Sequence, residues 1–242
     1  MSELKDRVAL VTGASGGIGG ALAEALAERG ARLILVGRDA ARLAALAERL
    51  RGRSPEIDVQ PTDLADDASL RRMASRVGTA FGGVDLLAHV AGVFAAGTVE
   101  TAPVADLDLQ LAVNLRAPYL LTQLLLPGLR ARRGQIVFMS SSAGLAPRAS
   151  VSAYAASKAA FTALASALRE EVNRDGVRVL TVYPGRTASR MQEQVRTFEG
   201  KAYEPERFVQ PEDVARATIA ALELPRTAEL TELHLRPMQP LS

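Results

Sequence analysis

The 242-residue chain contains no cysteine. That absence excludes disulfides, thiol nucleophiles and thiolate metal sites. Only two histidines occur, His89 and His234. They are too few for a histidine-built zinc site, so no metal is expected, and a Ser-His-Asp hydrolase would have to use one of them. An excess of one charge is also missing: 29 Lys plus Arg against 27 Asp plus Glu leave a formal +2. Stretches such as LRRMASRV mix cations with apolar residues at helical spacing, which reads as solvated helix faces and not as a nucleic-acid patch. No apolar run approaches the roughly 20 residues of a membrane span, and MSELKDRVAL lacks the apolar core of a signal peptide. A soluble, cytoplasmic protein without nucleic-acid or membrane partners is expected. Lysine is scarce too. There are three, Lys5, Lys158 and Lys201, in a chain that otherwise writes its positive charge as arginine.

What is present is ordinary for a globular protein, 48% hydrophobic and 23% charged. Short β-branched runs at 7–13, 31–37, 57–63, 84–92, 134–142, 177–185 and 229–236 read as strands. Helical periodicity marks 17–30, 39–52, 67–83, 150–176 and 211–224. A longer helical region covers about 103–131, with an interruption expected near Pro118 and an end at Pro127–Gly128. Crossover helices force neighbouring strands to run parallel. The expected fold is α/β: one domain over 1–242, a doubly wound, Rossmann-like parallel sheet with helices on both faces. Ligands of such sheets bind beyond the carboxyl ends of the strands.

TGASGGIGG, residues 12–20, follows the first strand and opens the first helix. Glycines there let backbone approach a pyrophosphate, and the helix N-terminus offers free N–H groups and a positive dipole end. The position favours dinucleotide binding over a plain tight turn, with Gly13, Ser15, Gly17, Ile18 and Gly19 as contacts. The spacing is TGxxxGxG through Thr12, Gly13, Gly17 and Gly19. Here the chain resembles the short-chain dehydrogenase/reductase family. The resemblance implies an active site of Asn, Ser, Tyr and Lys. Tyr154 and Lys158 match its YxxxK, and Ser141 is the serine in register thirteen residues before the tyrosine, with Gly144 after it. Asn114 in AVNLRAP matches the asparagine, and Pro184–Gly185 match the PG after the sixth strand, with Thr187 close behind as a cofactor contact.

The chemistry fits the residue types. Positions i and i+4 share a helical face, which puts Lys158 near the Tyr154 ring. A free phenol titrates near 10, and an adjacent ammonium favours the phenolate. With the charge of an oxidised nicotinamide helping, Tyr154 is therefore expected to titrate low enough to act as general acid and base, with Ser141 donating to the developing alkoxide. Lys158 is expected to hold nicotinamide ribose hydroxyls as well. A compact ammonium suits that task better than a guanidinium fork. In the family, Asn114 positions a water that continues the relay. Each residue also has a structural reading: Tyr154 as packing on the sheet, Lys158 as a snorkelling cation, Ser141 as a cap, Asn114 as a kink hydrogen bonder.

An acid at the end of the second strand would hold a ribose diol, but the chain presents Gly37–Arg38. A guanidinium suits a 2′-phosphate, so NADP (NADPH) is favoured over NAD. Asp39, one residue late, reads as a helix cap. Asp63 and Leu64 match the adenine-contact position. The usual NNAG is HVAG here: Ala91 and Gly92 remain as cofactor contacts, and His89 reads as a packed substitute. The ending LTELHLRPMQPLS lacks the glycine-rich segment common in the family, whose members suggest a homodimer or homotetramer. Residues 186–208 resemble the family's substrate lid. Val93, Phe94, Leu145, Met191, Phe198 and Tyr203 are candidates for an apolar pocket, and Arg148 and Arg186 for an anionic group on a small carbonyl or alcohol substrate. The other reading kept open is a nucleotide-sensing or scaffold protein with vestigial catalysis.

Overall fold

β1 (Val8–Thr12) shows how these sequences become layers. All five of its residues are buried. Val8 and Leu10 join the core on one face of the sheet, and Ala9 and Val11 join the core on the other, as the period of two requires. The computed structural model describes residues 3–239. Around β1 lie β2 (Arg32–Gly37), β3 (Ile57–Pro61), β4 (Leu86–His89), β5 (Gln135–Met139), β6 (Arg178–Pro184) and β7 (Glu232–Leu235). All pair in parallel, in the order β3-β2-β1-β4-β5-β6-β7. The α/β doubly wound fold is the one expected. The order reverses between β1 and β4, and the crevice opens there.

Helices α1 (Gly17–Ala27), α2 (Ala40–Leu50) and α9 (Pro211–Leu222) cover one face. The other is covered by α3 (Asp67–Phe81), α5 (Ala117–Ala131) and α7 (Ser152–Val172). Leucines at helical period do the packing: Leu22 and Leu26 on α1 and Leu43, Leu46 and Leu50 on α2 are all buried. Each contributes about 1.5–3 kcal/mol by leaving water. At the C-terminal edge of the sheet lie α6 (Ser142–Leu145) and α8 (Arg190–Phe198). The ends Met1–Ser2 and Pro240–Ser242 of the expected domain, including the last residues of its glycine-free ending, lie outside the described residues.

Two local expectations are corrected. The helical region does not end at Pro127–Gly128. α4 (Val104–Leu111) continues through a π-helical turn, Ala112–Arg116, into α5, which carries Pro127 inside it and ends at Ala131. Pro118 falls just past the π-helical turn, at the start of α5, where its missing N–H leaves the Asn114 carbonyl without the donor four residues on. Pro127 forfeits one helical bond, but Leu125 and Leu129 beside it are buried. Gly128 adds a close backbone approach, since a Cβ there would lie 3.4 Å from the Gly83 Cα. Burial of that face outweighs one lost bond. The second correction is Ser142, read as strand, which instead opens α6 because the Ser141 hydroxyl accepts from the Ala143 N–H at 3.2 Å and caps the turn.

Candidate active site

A cleft of about 640 Å³ opens along the C-terminal edge of the sheet. Every residue singled out above for cofactor or chemistry lines it except Asn114. At one end is the glycine loop. Gly13 has φ +72°, and a Cβ on it would lie 2.8 Å from the Ala91 Cα; one on Gly19 would lie 2.2 Å from the Gly13 carbonyl oxygen. Only glycine lets the β1 loop press against the β4 loop while α1 starts directly beneath. No side chain caps α1 and no acid lies in its first turn, so its leading N–H groups face the cleft unshielded.

The HVAG segment is braced without asparagine. Thr12 Oγ1 donates to the Ala88 carbonyl at 3.2 Å and accepts from the Val90 and Ala91 N–H groups at 3.0 and 3.2 Å. His89 turns away from the cleft. Its Nε2 meets Thr122 Oγ1 at 2.8 Å, and its ring packs on Phe138 with centroids 5.1 Å apart. Burial, helped by the Lys158 charge, pushes its pKa down to about 3, so the imidazole is a neutral core group. His234 stacks on Tyr183, and neither histidine lines the cleft.

At the other end the three serines separate. The Ser140 hydroxyl is buried and tied to Thr162 Oγ1 at 2.9 Å, and Ser142 lies on the exposed start of α6. Ser141 lies beside Tyr154 in the cleft, and the Tyr154 ring meets Phe94 edge-on with centroids 5.2 Å apart. Lys158 is 3% exposed; its Nζ donates to the Met139 carbonyl at 2.9 Å and lies 4.9 Å from the Phe161 ring centroid. Burial lowers its pKa to about 8. The expected lowering of the Tyr154 phenol is reversed among the protein's own groups. Burial raises it, and the Ser141 hydroxyl only partly opposes that. The physical reason is direction: the ammonium is aimed at a carbonyl and a ring, not at the phenol.

Asn114 sits behind this surface, in the π-helical turn, 1% exposed. Its Oδ1 accepts from the Val93 N–H at 2.8 Å, and its Nδ2 donates to the Val93 carbonyl and to Ser157 Oγ, each at 3.0 Å. A Cβ on Gly92 would lie 3.4 Å from Asn114 Oδ1 and 3.6 Å from Lys158 Nζ. The asparagine thus ties the β4 loop to α7 around the lysine.

The model of one protein family, described as short chain dehydrogenase, matches residues 7–200. The chain belongs to this family. It is 30% identical to an uncharacterized oxidoreductase of Staphylococcus saprophyticus, over 98% of this chain and 100% of that one. A metagenomic short-chain oxidoreductase solved in complex with NADP is 33% identical, with a TM-score of 0.85, over 99% and 100% of the two chains. An alcohol dehydrogenase of the archaeon Thermococcus sibiricus, complexed with 5-hydroxy-NADP, is 27% identical, with a TM-score of 0.87, over 98% and 99%.

In this short-chain dehydrogenase Arg38 is exposed at the mouth of the cleft, with no hydrogen bond or ion pair to any described residue. Asp39 caps α2, accepting from the Arg42 N–H at 3.0 Å, and its carboxylate also pairs with the Arg42 side chain at 3.3 Å. Asp63 accepts from the Ala65 N–H at 2.9 Å, and Leu64 is buried. Two pocket candidates fall away. Leu145 does not line the cleft and Tyr203 stacks on Phe208 instead. Arg186 lines the cleft, where its guanidinium pairs with the Glu199 carboxylate and holds that carboxyl's pKa below the usual range. Val93, Phe94, Met191, Phe198 and Arg148 do line it. Residues not foreseen are Thr12 as a brace, Ser157 behind Asn114, and Val195 and Gln192 on α8. The i, i+4 spacing from Met191 to Val195 was the available signal for one of these; nothing local marks the others. No helix among the described residues is long and apolar enough to cross a membrane.

Proposed function

We propose that this oxidoreductase interconverts a carbonyl and a secondary alcohol on a small to medium, partly apolar substrate, using NADP(H). The observation that carries the reading is the convergence of Ser141, Tyr154 and the buried Lys158 amine in one cleft whose far end is the uncapped start of α1. The residues present suit the dinucleotide. The glycine loop leaves room for a pyrophosphate, with Ser15 and Ile18 beside it, and the unpaired Arg38 suits a 2′-phosphate. The NADP-bound relatives support the same choice. Asp63 and Leu64 flank the adenine side, and Ala91, Gly92, Pro184, Gly185 and Thr187 border the nicotinamide side.

When bound, the nicotinamide supplies or accepts the hydride. The protein's residues handle the proton. Burial keeps the Tyr154 phenol protonated at neutral pH, which suits a donor to a carbonyl oxygen as that oxygen gains charge. Ser141 donates to the same oxygen. Lys158 orients ribose hydroxyls, and its charge, once turned from Met139, favours the phenolate that remains. Asn114 is a positioning residue. Pro118 has no N–H to give the Asn114 carbonyl four residues earlier, which suits that oxygen to hold the relay water implied by the family. Residues 186–208, with α8, act as the substrate lid, and Phe94, Met191 and Phe198 supply the apolar wall. A cytoplasmic homodimer or homotetramer completes the reading.

Fluorescence titration of both cofactors tests it. A charge-assisted contact contributes roughly 1.5–3 kcal/mol, so NADPH should bind at least about tenfold more tightly than NADH at low salt. The preference should shrink as salt rises. Arg38→Asp should reverse it. Equal wild-type affinities, or a preference untouched by the substitution, remove the NADP assignment. A panel of ketones, aldehydes, 3-oxoacyl thioesters and alcohols, followed at the nicotinamide absorbance, tests the reaction. A protein that binds NADPH and turns over nothing would revive the sensor.

A further inference from the structure

Two buried side-chain polar atoms among the described residues have no hydrogen-bond partner, Arg178 Nε and Gln192 Nε2. The first is a remainder. The other two nitrogens of that guanidinium already serve the carbonyls of Leu222, Leu224, Pro225 and Ala228, at the edge of the sheet away from the cleft. Gln192 is different. It is 8% exposed, it lines the cleft, and its amide nitrogen donates to nothing. A buried donor left unpaired forfeits the hydrogen bonds it had in water, a penalty that a ligand's acceptor would relieve.

The place of Gln192 says which ligand. It is in the first turn of α8, whose N-cap Ser189 already accepts from the Gln192 backbone N–H at 3.2 Å. The side-chain amide is therefore the donor left over. Side chains on a helix lean toward its N-terminus, here toward Ser189. Ser189 in turn abuts the start of α1: a Cβ on Gly17 would lie 3.6 Å from Ser189 Cβ. The beginnings of two helices thus meet at the phosphate end of the cleft, with one unpaired amide beside them.

We propose that Gln192 is a cofactor-binding residue, donating from its amide to the pyrophosphate–nicotinamide half of the dinucleotide. The inference rests on the NADP(H) reading above. It makes the first turn of α8 part of the cofactor site as well as the substrate wall.

The test is affinity, not turnover. NADPH and adenosine 2′,5′-bisphosphate, which lacks that half, are titrated by calorimetry against wild type, Gln192→Leu and Gln192→Glu. Gln192→Leu should weaken NADPH about tenfold and leave the bisphosphate within twofold. Its melting temperature without nucleotide should equal or exceed wild type, because an unpaired buried amide has been removed. Gln192→Glu keeps the shape and sets a carboxylate against phosphate, so it should weaken NADPH further. NADPH affinity within twofold of wild type in both variants would mean that no acceptor on the dinucleotide reaches the amide, and would overturn the proposal. Equal losses for NADPH and the bisphosphate would overturn it too, by indicating a general disturbance. Wild-type protein that binds neither NADPH nor NADH would sink the function proposed above, an outcome distinct from wild-type binding matched by both variants.

Discussion

At the scale of single residues, the site is governed by desolvation. Tyr154 is pushed up and Lys158 down because both are taken out of water, and each is thereby biased toward its neutral form. For Tyr154 this is the form that can donate. Tyr154→Phe should leave NADPH affinity within about threefold and lower kcat by about 10²–10⁴, the range of a lost general acid. Turnover unchanged on a true substrate would remove the assignment. For Lys158 the consequence is a stability that depends on pH. Between about 8 in the folded protein and the ordinary 10.5, the unfolded chain binds the proton and the folded one does not. Stability contributed by this group therefore rises with pH across that window and is lost as pH falls through about 8. Above about 10, the raised phenol begins to act in the opposite sense. Urea unfolding should show a steeper rise in wild type than in Lys158→Met between about pH 8 and 10. Equal slopes would mean that the amine is not desolvated.

At the scale of elements, the π-helical turn 112–116 is the piece that assembles the site. Such turns shift a residue relative to an unbroken helix, and here the shifted turn carries Asn114 between the β4 loop and α7. Its three hydrogen bonds satisfy both backbone groups of Val93 and reach Ser157. Asn114→Ala leaves the Val93 N–H and carbonyl without those partners. It should cost about 2–4 kcal/mol in urea unfolding and weaken NADPH binding, because Gly92 rests on the same side chain. A variant as stable as wild type, with unchanged affinity, would show that the loop holds itself.

At the scale of the whole molecule, the two edges of the sheet divide the work. The carboxyl edge carries the cleft. The amino edge is held by Asp85, 9% exposed, whose carboxylate accepts from Arg7, from the Val8 N–H and from Arg132 at 3.0, 2.9 and 3.0 Å. One side chain thus joins β1, the start of β4 and the C-terminal cap of α5. Asp85→Ala should lower stability by about 1–3 kcal/mol, since both arginines keep some contact with water. NADPH affinity should be unchanged within twofold below the melting transition. A loss of affinity without a loss of stability would contradict the division.

The layer order and most element bounds were legible in the sequence because periodicity and crossover length are local or nearly local properties. The seven strands, the glycine turn and the N-cap at Asp39 were read directly from spacing. The candidate constellation of Ser141, Tyr154 and Lys158 was legible through its register, since each residue follows a strand or shares a helical face. What local pattern could not supply was set by packing between distant segments. Helix α5 runs through Pro127 because its buried face outweighs one missing bond. Thr12 braces the β4 loop from a strand 76 to 79 residues away in sequence. The direction of the Tyr154 pKa depended on where the Lys158 amine points, and Arg186 was paired with Glu199 by a segment that folds back on it. Composition and spacing determine which groups are available; only the tertiary arrangement decides which are already satisfied, because a hydrogen bond or an ion pair depends on distances that sequence separation does not encode.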